Sequence, residues 1–516
     1  MHADALSSLG RIMQHPCTNF RGRKRLSVIR GAPKPKLSPF DKAAYGLGST
    51  AEAIVYTTTA SFLLIFYNQV RGIEAGHVGT ALAIGMIVNA VFDPLVGSWS
   101  DRVRTRIGRR HPFLFASILP GAICFYCLFN PPDALTGIWQ LVWLTCFNVL
   151  LLQCMSLYHT PHMALGGELS DDYLGRSSIM AYNTFFLWVG DTLGWVLSFA
   201  WFFRTTDEFS NGALDSSRYD EFGISFAALI ILFCTISAVS TKKFIPSLPQ
   251  AAPDTPKFGP LEFFRDFIKA CSNRNYAVLL IGMFFLSLMT GVRAGLWFYS
   301  ASFFWEINNT QISFFAIGSF FGYLFGVFAV TRLHDRFDKR WTGMFAVLLY
   351  CIGPALPLAL GYLGILTAET PGLLYILIAF SVLQHAPYSI MTTTVYSALA
   401  DIADENEVKY GLRQEGILYA ARTLFARVDQ AIGTALAGWI LTIIAFPDNA
   451  RVGEVAEPVL MALAGAFVLS TIPGLVAAVF YGMLRVTRES YDTTRETLDA
   501  RRVAEADEDA LAAKPA

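Results

Sequence analysis

Gly97-Ser98-Trp99-Ser100-Asp101-Arg102, closed by Gly108-Arg109-Arg110, is a charged turn set between two long apolar runs. A shorter copy, Asp335-Arg336-Phe337-Asp338-Lys339-Arg340, follows about 230 residues further on, close to half the chain length. A charged turn between hydrophobic spans that recurs at the half-length is the pattern of a membrane transporter built by duplication.

Working outward, composition points the same way. Hydrophobic residues make up 54% of the 516 and charged residues 16%, where a soluble chain carries about 25% charged. Mean hydropathy is +0.44. The charges fall between apolar runs of roughly 20 residues, enough to cross about 30 Å of hydrocarbon. Such runs lie at about 43–67, 77–99, 112–130, 137–164, 177–203, 222–240, 276–304, 311–333, 341–363, 371–398, 415–445 and 457–484. The tenth and eleventh follow so closely that eleven spans are also allowed; twelve is preferred because the halves then match. The expected fold is an all-α membrane protein of twelve transmembrane helices in two pseudo-symmetric six-helix bundles. Its expected divisions are a basic tail (1–41), a first bundle (42–240), a central loop (241–275), a second bundle (276–485) and a C-terminal tail (486–516). In the loop, Leu261, Phe264, Phe267, Ile268 and Cys271 fall on one helical face, as in a helix lying at the bilayer surface.

Basic residues cluster in the first tail (Arg21, Arg23, Lys24, Arg25), after span two, after span six (Lys242, Lys243), after span eight and after span twelve (Arg485, Arg488). By the positive-inside rule both termini face the cytoplasm, in an inner (plasma) membrane. The first forty residues lack the apolar core of a signal peptide and read as a basic tail near anionic lipid. The eight cysteines show no ligand spacing. The net charge of zero carries no information about partners, and no nucleic-acid signal is present.

The halves echo one another beyond the charged turns. Tyr158-His159-Thr160-Pro161 in span four answers Gln384-His385-Ala386-Pro387 in span ten, and Arg176 and Arg413 each precede a tyrosine, Tyr182 and Tyr419. Asp191 and Asp429 follow at similar depth.

A charge at mid-bilayer costs about 2.5–3.5 kcal/mol on insertion scales, so each needs a reason. The candidates are Glu52, Asp93, Asp191, Arg293, Arg422, Arg427 and Asp429, with His159, His162 and His385. Asp93 and Asn89, one turn apart, put two oxygen-bearing side chains on one helix face. That suits a Na⁺ ion, or a carboxylate that loads a proton; the other reading is a structural ion pair between Asp93 and a basic residue such as Arg427. The His-x-Pro pairs mark either kinked or locally broken helices. Arg293, between Gly291 and Gly295, fits either a substrate anion or close helix packing.

Residues 40–485 resemble the glycoside–pentoside–hexuronide:cation symporters, the melibiose-permease branch of the major facilitator superfamily. The resemblance rests on Tyr45-Gly-x-Gly48, Asp93-Pro94 with the Arg102–Arg110 loop, Glu168, Arg176, and Ala400-Asp401-x-x-Asp404-x-x-Glu407 leading to Gly411-x-Arg413-x-Glu415. It implies the major facilitator fold and cation-coupled symport. It also implies that Asp93 is a cation carboxylate whose companion is replaced by Asn89, with Ser156 and Thr423 keeping hydroxyls at cation-site positions and Arg427 standing where the family has a lysine. Asp401, Asp404, Glu407, Arg413 and Arg176 match the family's cytoplasmic ionic gate. The family's sugar ligands do not carry over: Ala53 stands at an acidic position with Glu52 beside it, and His159, Met163, Thr184 and Thr392 stand at the others. A galactoside pocket is therefore not supported.

The expectation is a secondary active transporter, not an enzyme, that carries a sugar or glycoside-like solute with H⁺ or Na⁺ by alternating access and works as a monomer. No cofactor is expected beyond the coupling ion, for which Asp93 is the candidate Na⁺ ligand. Coupling is assigned to Asp93, Asn89, Ser156, Thr423 and Arg427, and solute binding to Glu52, His159, Thr184, Arg422 and Thr392. The alternative solute is a lysolipid or another amphipathic molecule. A membrane sensor or intramembrane enzyme is disfavoured, because no output domain, metal-ligand spacing or nucleophile motif is present.

Overall fold

In the computed structural model, residues 37–248 are described (less 171–172, 207–208 and 210), as are 265, 268, 271–410, 415–485, 490, 493–494, 496–498 and 500. Among them all regular structure is helical. The long helices are α1 Pro39–Ile65, α2 Ala75–Arg102, α3 His111–Phe129, α4 Ile138–Glu168, α5 Tyr173–Val196 and α6 Arg218–Thr241. After the central loop come α7 Arg274–Tyr299, α8 Phe315–Arg336, α9 Lys339–Tyr362, α10 Leu373–Tyr410 and α11 Glu415–Ile443. The last span, Glu457–Gly482, is made of α12 Glu457–Leu469 and α13 Thr471–Gly482.

Eleven of these spans are long and apolar enough to cross a bilayer. The remaining helix, α11, has 29 residues and differs in carrying Arg422, Arg427 and Asp429 along its length. It is covered by α2 and α7, so its charges meet protein rather than lipid. Large apolar side chains on the outside, such as Phe320, Phe325 and Phe328 of α8, are 61–65% exposed, which a hydrocarbon solvent tolerates and water does not.

Local signals start the helices. Ser38 caps α1, accepting from the Asp41 amide at 3.2 Å while its own amide donates to the Asp41 carboxylate at 3.1 Å, with Pro39 at the first helical position. Asn273 caps α7 through its side-chain oxygen, which accepts from the Asn275 and Tyr276 amides. The expected amphipathic helix of the central loop lies outside the described residues apart from Arg265, Ile268 and Cys271.

The duplication is visible in the packing. Helix α1 packs on α5 and α6, as α7 does on α11 and α13; α2 packs on α4 as α8 does on α10; α3 packs on α4 and α6 as α9 does on α10 and α13. The charged turns match as well. Arg110, buried at the α2–α3 turn, reaches Glu168 at the end of α4 (2.8 Å), Asp101 (2.5 Å) and Ser100 (2.6 Å). Gly108 supplies the left-handed turn, φ +81°. In the second half Lys339 reaches Asp401 near the end of α10 at 2.5 Å.

The bundles meet mainly at the end away from the tails. There Asn68 donates to Asp448 at 2.6 Å, Tyr299 to Asn68 at 2.8 Å, Asn211 to Ser302 at 2.8 Å and Asn309 to the Phe203 carbonyl at 2.9 Å. A single apolar core runs through both bundles at that end, whereas the tail-side part of the second bundle has a core of its own. Both α1 and its counterpart α7 finish there in a π-helical turn, Phe66–Val70 and Ser300–Phe304.

Candidate coupling and solute site

The Tyr45-Gly-x-Gly48 stretch seats α1. His162 of α4 stacks on Tyr45 at 4.2 Å and contacts its carbonyl at 3.0 Å, and Ser237 of α6 donates to the same carbonyl at 2.9 Å. A Cβ on Gly48 would stand 2.4 Å from the Tyr158 hydroxyl, so only glycine allows this approach. His162 is thereby a packing residue. One turn beyond Gly48, Glu52 points the same way and is 4% exposed. His159 Nδ1 lies 2.5 Å from Glu52 Oε1, while Glu52 Oε2 is buried without a hydrogen bond. The helices run unbroken through Pro161 and Pro387, so the proline reading resolves to continuous helices; the last span, by contrast, is interrupted at Ser470, between α12 and α13.

Asp93 of α2 and Arg427 of α11 form an ion pair across the two bundles. The Asn89 amide, oriented so that both its ends are satisfied, donates to the Leu152 carbonyl at 2.9 Å and accepts from the same guanidinium. Asp93 Oδ2 and the Asn89 oxygen are thus both turned to Arg427, while Asp93 Oδ1 is buried without a hydrogen bond. Ser156 is buried and its hydroxyl has no partner among the described residues; the Thr423 side chain lies outside them. No three His, Cys, Asp or Glu side chains converge as a metal site among the described residues.

The other solute candidates lie apart from the Glu52–His159 pair. Arg422 donates to the Tyr396 hydroxyl at 3.1 Å and stacks over that ring at 4.5 Å, with its Nε buried and unbonded. Thr392 is satisfied within its own helix by the Tyr388 carbonyl at 2.8 Å, and Thr184 is exposed on α5. Asp191 accepts from Thr57 of α1. Arg293 is not a substrate anion site: it donates to the Cys351 carbonyl (2.6 Å), Thr471 (2.7 Å) and Ser470 (3.2 Å), tying α7 to α9 and to the break in the last span.

A family model described as MFS/sugar transport protein matches residues 44–488. The chain belongs to that family. It is a multi-pass membrane transporter of the major facilitator superfamily, not an enzyme, as the family resemblance implied. The putative glycoside/cation symporter YagG of Escherichia coli K12 is 23% identical over 81% of this chain and 86% of its own. The isoprimeverose transporter of Lactiplantibacillus pentosus is 21% identical over 79% and 81%. Among solved structures, a bacterial homologue of the human lysosomal transporter Spinster, inward-facing and unoccupied, superposes with a TM-score of 0.63 at 14% identity, covering 89% of this chain and 98% of that one.

In this MFS transporter the ion pairs described at the tail end stay within a bundle: Arg109 and Arg110 with Glu168, and Lys339 with Asp401. Of the expected gate, Arg176 donates to the Ser170 carbonyl of its own bundle at 2.7 Å. Glu407 has a buried oxygen without a hydrogen bond, Asp404 is half-buried, and Arg413 lies outside the described residues. Sequence reasoning missed two features. One is Tyr56, a turn above Glu52, half-buried with its hydroxyl buried beside Arg427. The other is Tyr323, whose ring packs at a tilt on Trp188 across the bundles at 4.0 Å and continues to Tyr388 and Tyr350. Helical spacing from Glu52 would have found the first; the second needs the α5–α8 crossing.

Proposed function

We propose that this MFS transporter is a proton-coupled symporter of a sugar or glycoside-like solute, working by rocking of its bundles about a mid-membrane cavity. The observation that carries the reading is Arg427 of the second bundle paired with Asp93 of the first. An ion pair across the seam must be remade or broken when the bundles rock, so whatever changes its surroundings biases the conformational equilibrium. The proton is favoured over Na⁺ because Asn89 leaves one carboxylate where a Na⁺ cage needs several oxygens, and Arg427 already engages both side chains. The sugar reading is supported by the relatives named for glycosides and isoprimeverose. It is also supported by tyrosines and a tryptophan at the seam, which suit the apolar face of a pyranose. The basic clusters support cytoplasmic tails by the positive-inside rule, and on that reading this conformer is closed to the outside.

The test is uptake by proteoliposomes of isoprimeverose, a methyl xyloside and a methyl glucuronide under an imposed pH or Na⁺ gradient. Uptake of one sugar driven by the pH gradient, and reduced about tenfold or more in Asp93→Asn, is expected. Uptake driven by Na⁺ with no response to pH overturns the coupling ion. Uptake of lysolipid with none of the sugars overturns the solute class.

A further inference from the structure

Asp93 Oδ2 is held by the Arg427 guanidinium while its Oδ1 is buried without a hydrogen bond. Protonating Asp93 would leave the Arg427 charge uncompensated, and arginine does not release its proton near neutral pH. A second pair acts on the charge of Asp93: Glu52 of α1 and His159 of α4, 2.5 Å apart. We infer that the Glu52–His159 pair is the group that takes up and gives back the coupled proton, an inference resting on the symport reading above.

Charge counting carries the argument. The charges of Glu52, His159, Asp93 and Arg427 act on one another. Two carboxylates and one guanidinium leave this cluster at minus one when His159 is neutral. One proton on the pair brings it to zero. In a region walled by lipid-facing helices a net buried charge is costly, so the loaded cluster is the one that crosses between conformers at low cost. His159 Nδ1 and Glu52 Oε1 stand at ion-pair distance, neither that nitrogen nor the carboxylate being held by another hydrogen bond. The proton is carried by one of the two, no other bond changes, and the groups titrate as a unit. Glu52 Oε2, buried and unbonded, is a further acceptor on the same carboxylate.

The other groups are engaged or sit elsewhere: Asp93 Oδ1 and Asp429 Oδ2 are also buried and unbonded, but Asp93 is paired with Arg427 and Asp429 stands on α11 of the other bundle. On α4, His162 is already committed to the Tyr45 carbonyl and Ser237. Tyr45 and Tyr56 of α1 and Cys234 of α6 face the pair as neutral groups. On α5, Asp191 lies further along α1 and is held by Thr57; α3 offers Cys124, turned to Cys154 of α4. Arg293 of α7 points away to α9. Glu52, His159 and Asp93 all belong to the first bundle and Arg427 to the second, so the proton stays with one bundle while its nearest fixed positive charge moves with the other.

Proton binding can be read without any solute. Infrared difference spectra of the purified protein are recorded between about pH 5 and pH 9, where a histidine–carboxylate pair exchanges its proton, for wild type, Glu52→Gln and His159→Gln. Loss of a titrating carboxylate band in Glu52→Gln, together with loss of the titrating imidazole bands in His159→Gln, is expected. Spectra that keep the wild-type titration in either folded variant overturn the inference. The second measurement is the ratio of isoprimeverose uptake with and without a pH gradient, which should fall to about one in both variants; a wild-type ratio in either also overturns it. If the titration is lost as expected but wild-type vesicles accumulate none of the sugars, the solute reading falls while the proton pair stands.

Discussion

Arg427→Ala strips the counter-charge from a mostly buried Asp93 and is expected to cost about 3–5 kcal/mol, read as a fall in melting temperature in detergent. Adding Asp93→Ala should restore part of that loss, because the second change removes the uncompensated carboxylate; a double variant less stable than the single would refute the pairing. The pair was legible in the sequence, since two opposite charges stood in apolar runs where each demanded a partner. The Glu52–His159 contact was not. Both residues could be marked as out of place, but which charges meet depends on α1 and α4 being drawn together by Tyr45, His162 and Ser237. Chain spacing does not encode that. Arg293 shows the same limit: its odd charge was plain, but its partners were the Cys351 and Tyr350 carbonyls of another helix, the latter freed because Pro354 lacks an amide hydrogen.

At the scale of elements, the seam depends on how closely α2 and α11 approach. A Cβ on Gly438 would stand 2.3 Å from the Ala75 carbonyl oxygen, and one on Gly79 3.0 Å from the Thr434 carbonyl. Gly438→Ala is expected to cost about 1–3 kcal/mol in this conformer. It should also raise the labelling of a cysteine placed at Thr80 from the outside, since the helices must part. A second expectation concerns the interrupted last span. Arg293→Met leaves Ser470, Thr471 and two carbonyls without their charged donor, at about 1.5–3 kcal/mol for each such bond. Melting temperature measures it, and an unchanged value would mean that the break between α12 and α13 needs no clamp. Helix count and order were readable from apolar periodicity. The glycine crossing was not, because a small residue in a membrane helix announces close packing without naming its partner.

For the whole molecule, the matched packing of the two bundles is the duplication first seen in a pair of charged turns. The turns were readable because arginine, lysine and aspartate have few reasons to recur at half-length. The lopsided seam, with α2 and α11 in long contact and α5 and α8 barely touching, reflects one conformer and no sequence pattern could show it. Cysteines at Asn211 and Ser302, whose side chains now hydrogen-bond at 2.8 Å, joined by a short bifunctional reagent, should hold the outer end shut and abolish transport; uptake surviving complete cross-linking would refute the rocking cycle. That outer end is fastened almost entirely by amides, hydroxyls and carbonyls, with Asp448 the charged exception among the bonds described above. The tail-side rim is instead crowded with arginines, lysines and carboxylates. Dissolved ions weaken attraction between exposed charges over about 10 Å or less and leave neutral hydrogen bonds nearly untouched. None of the tail-side ion pairs described above crosses the seam in this conformer, so salt on the tail side should leave it undisturbed and slow only the stroke that brings the two charged rims together.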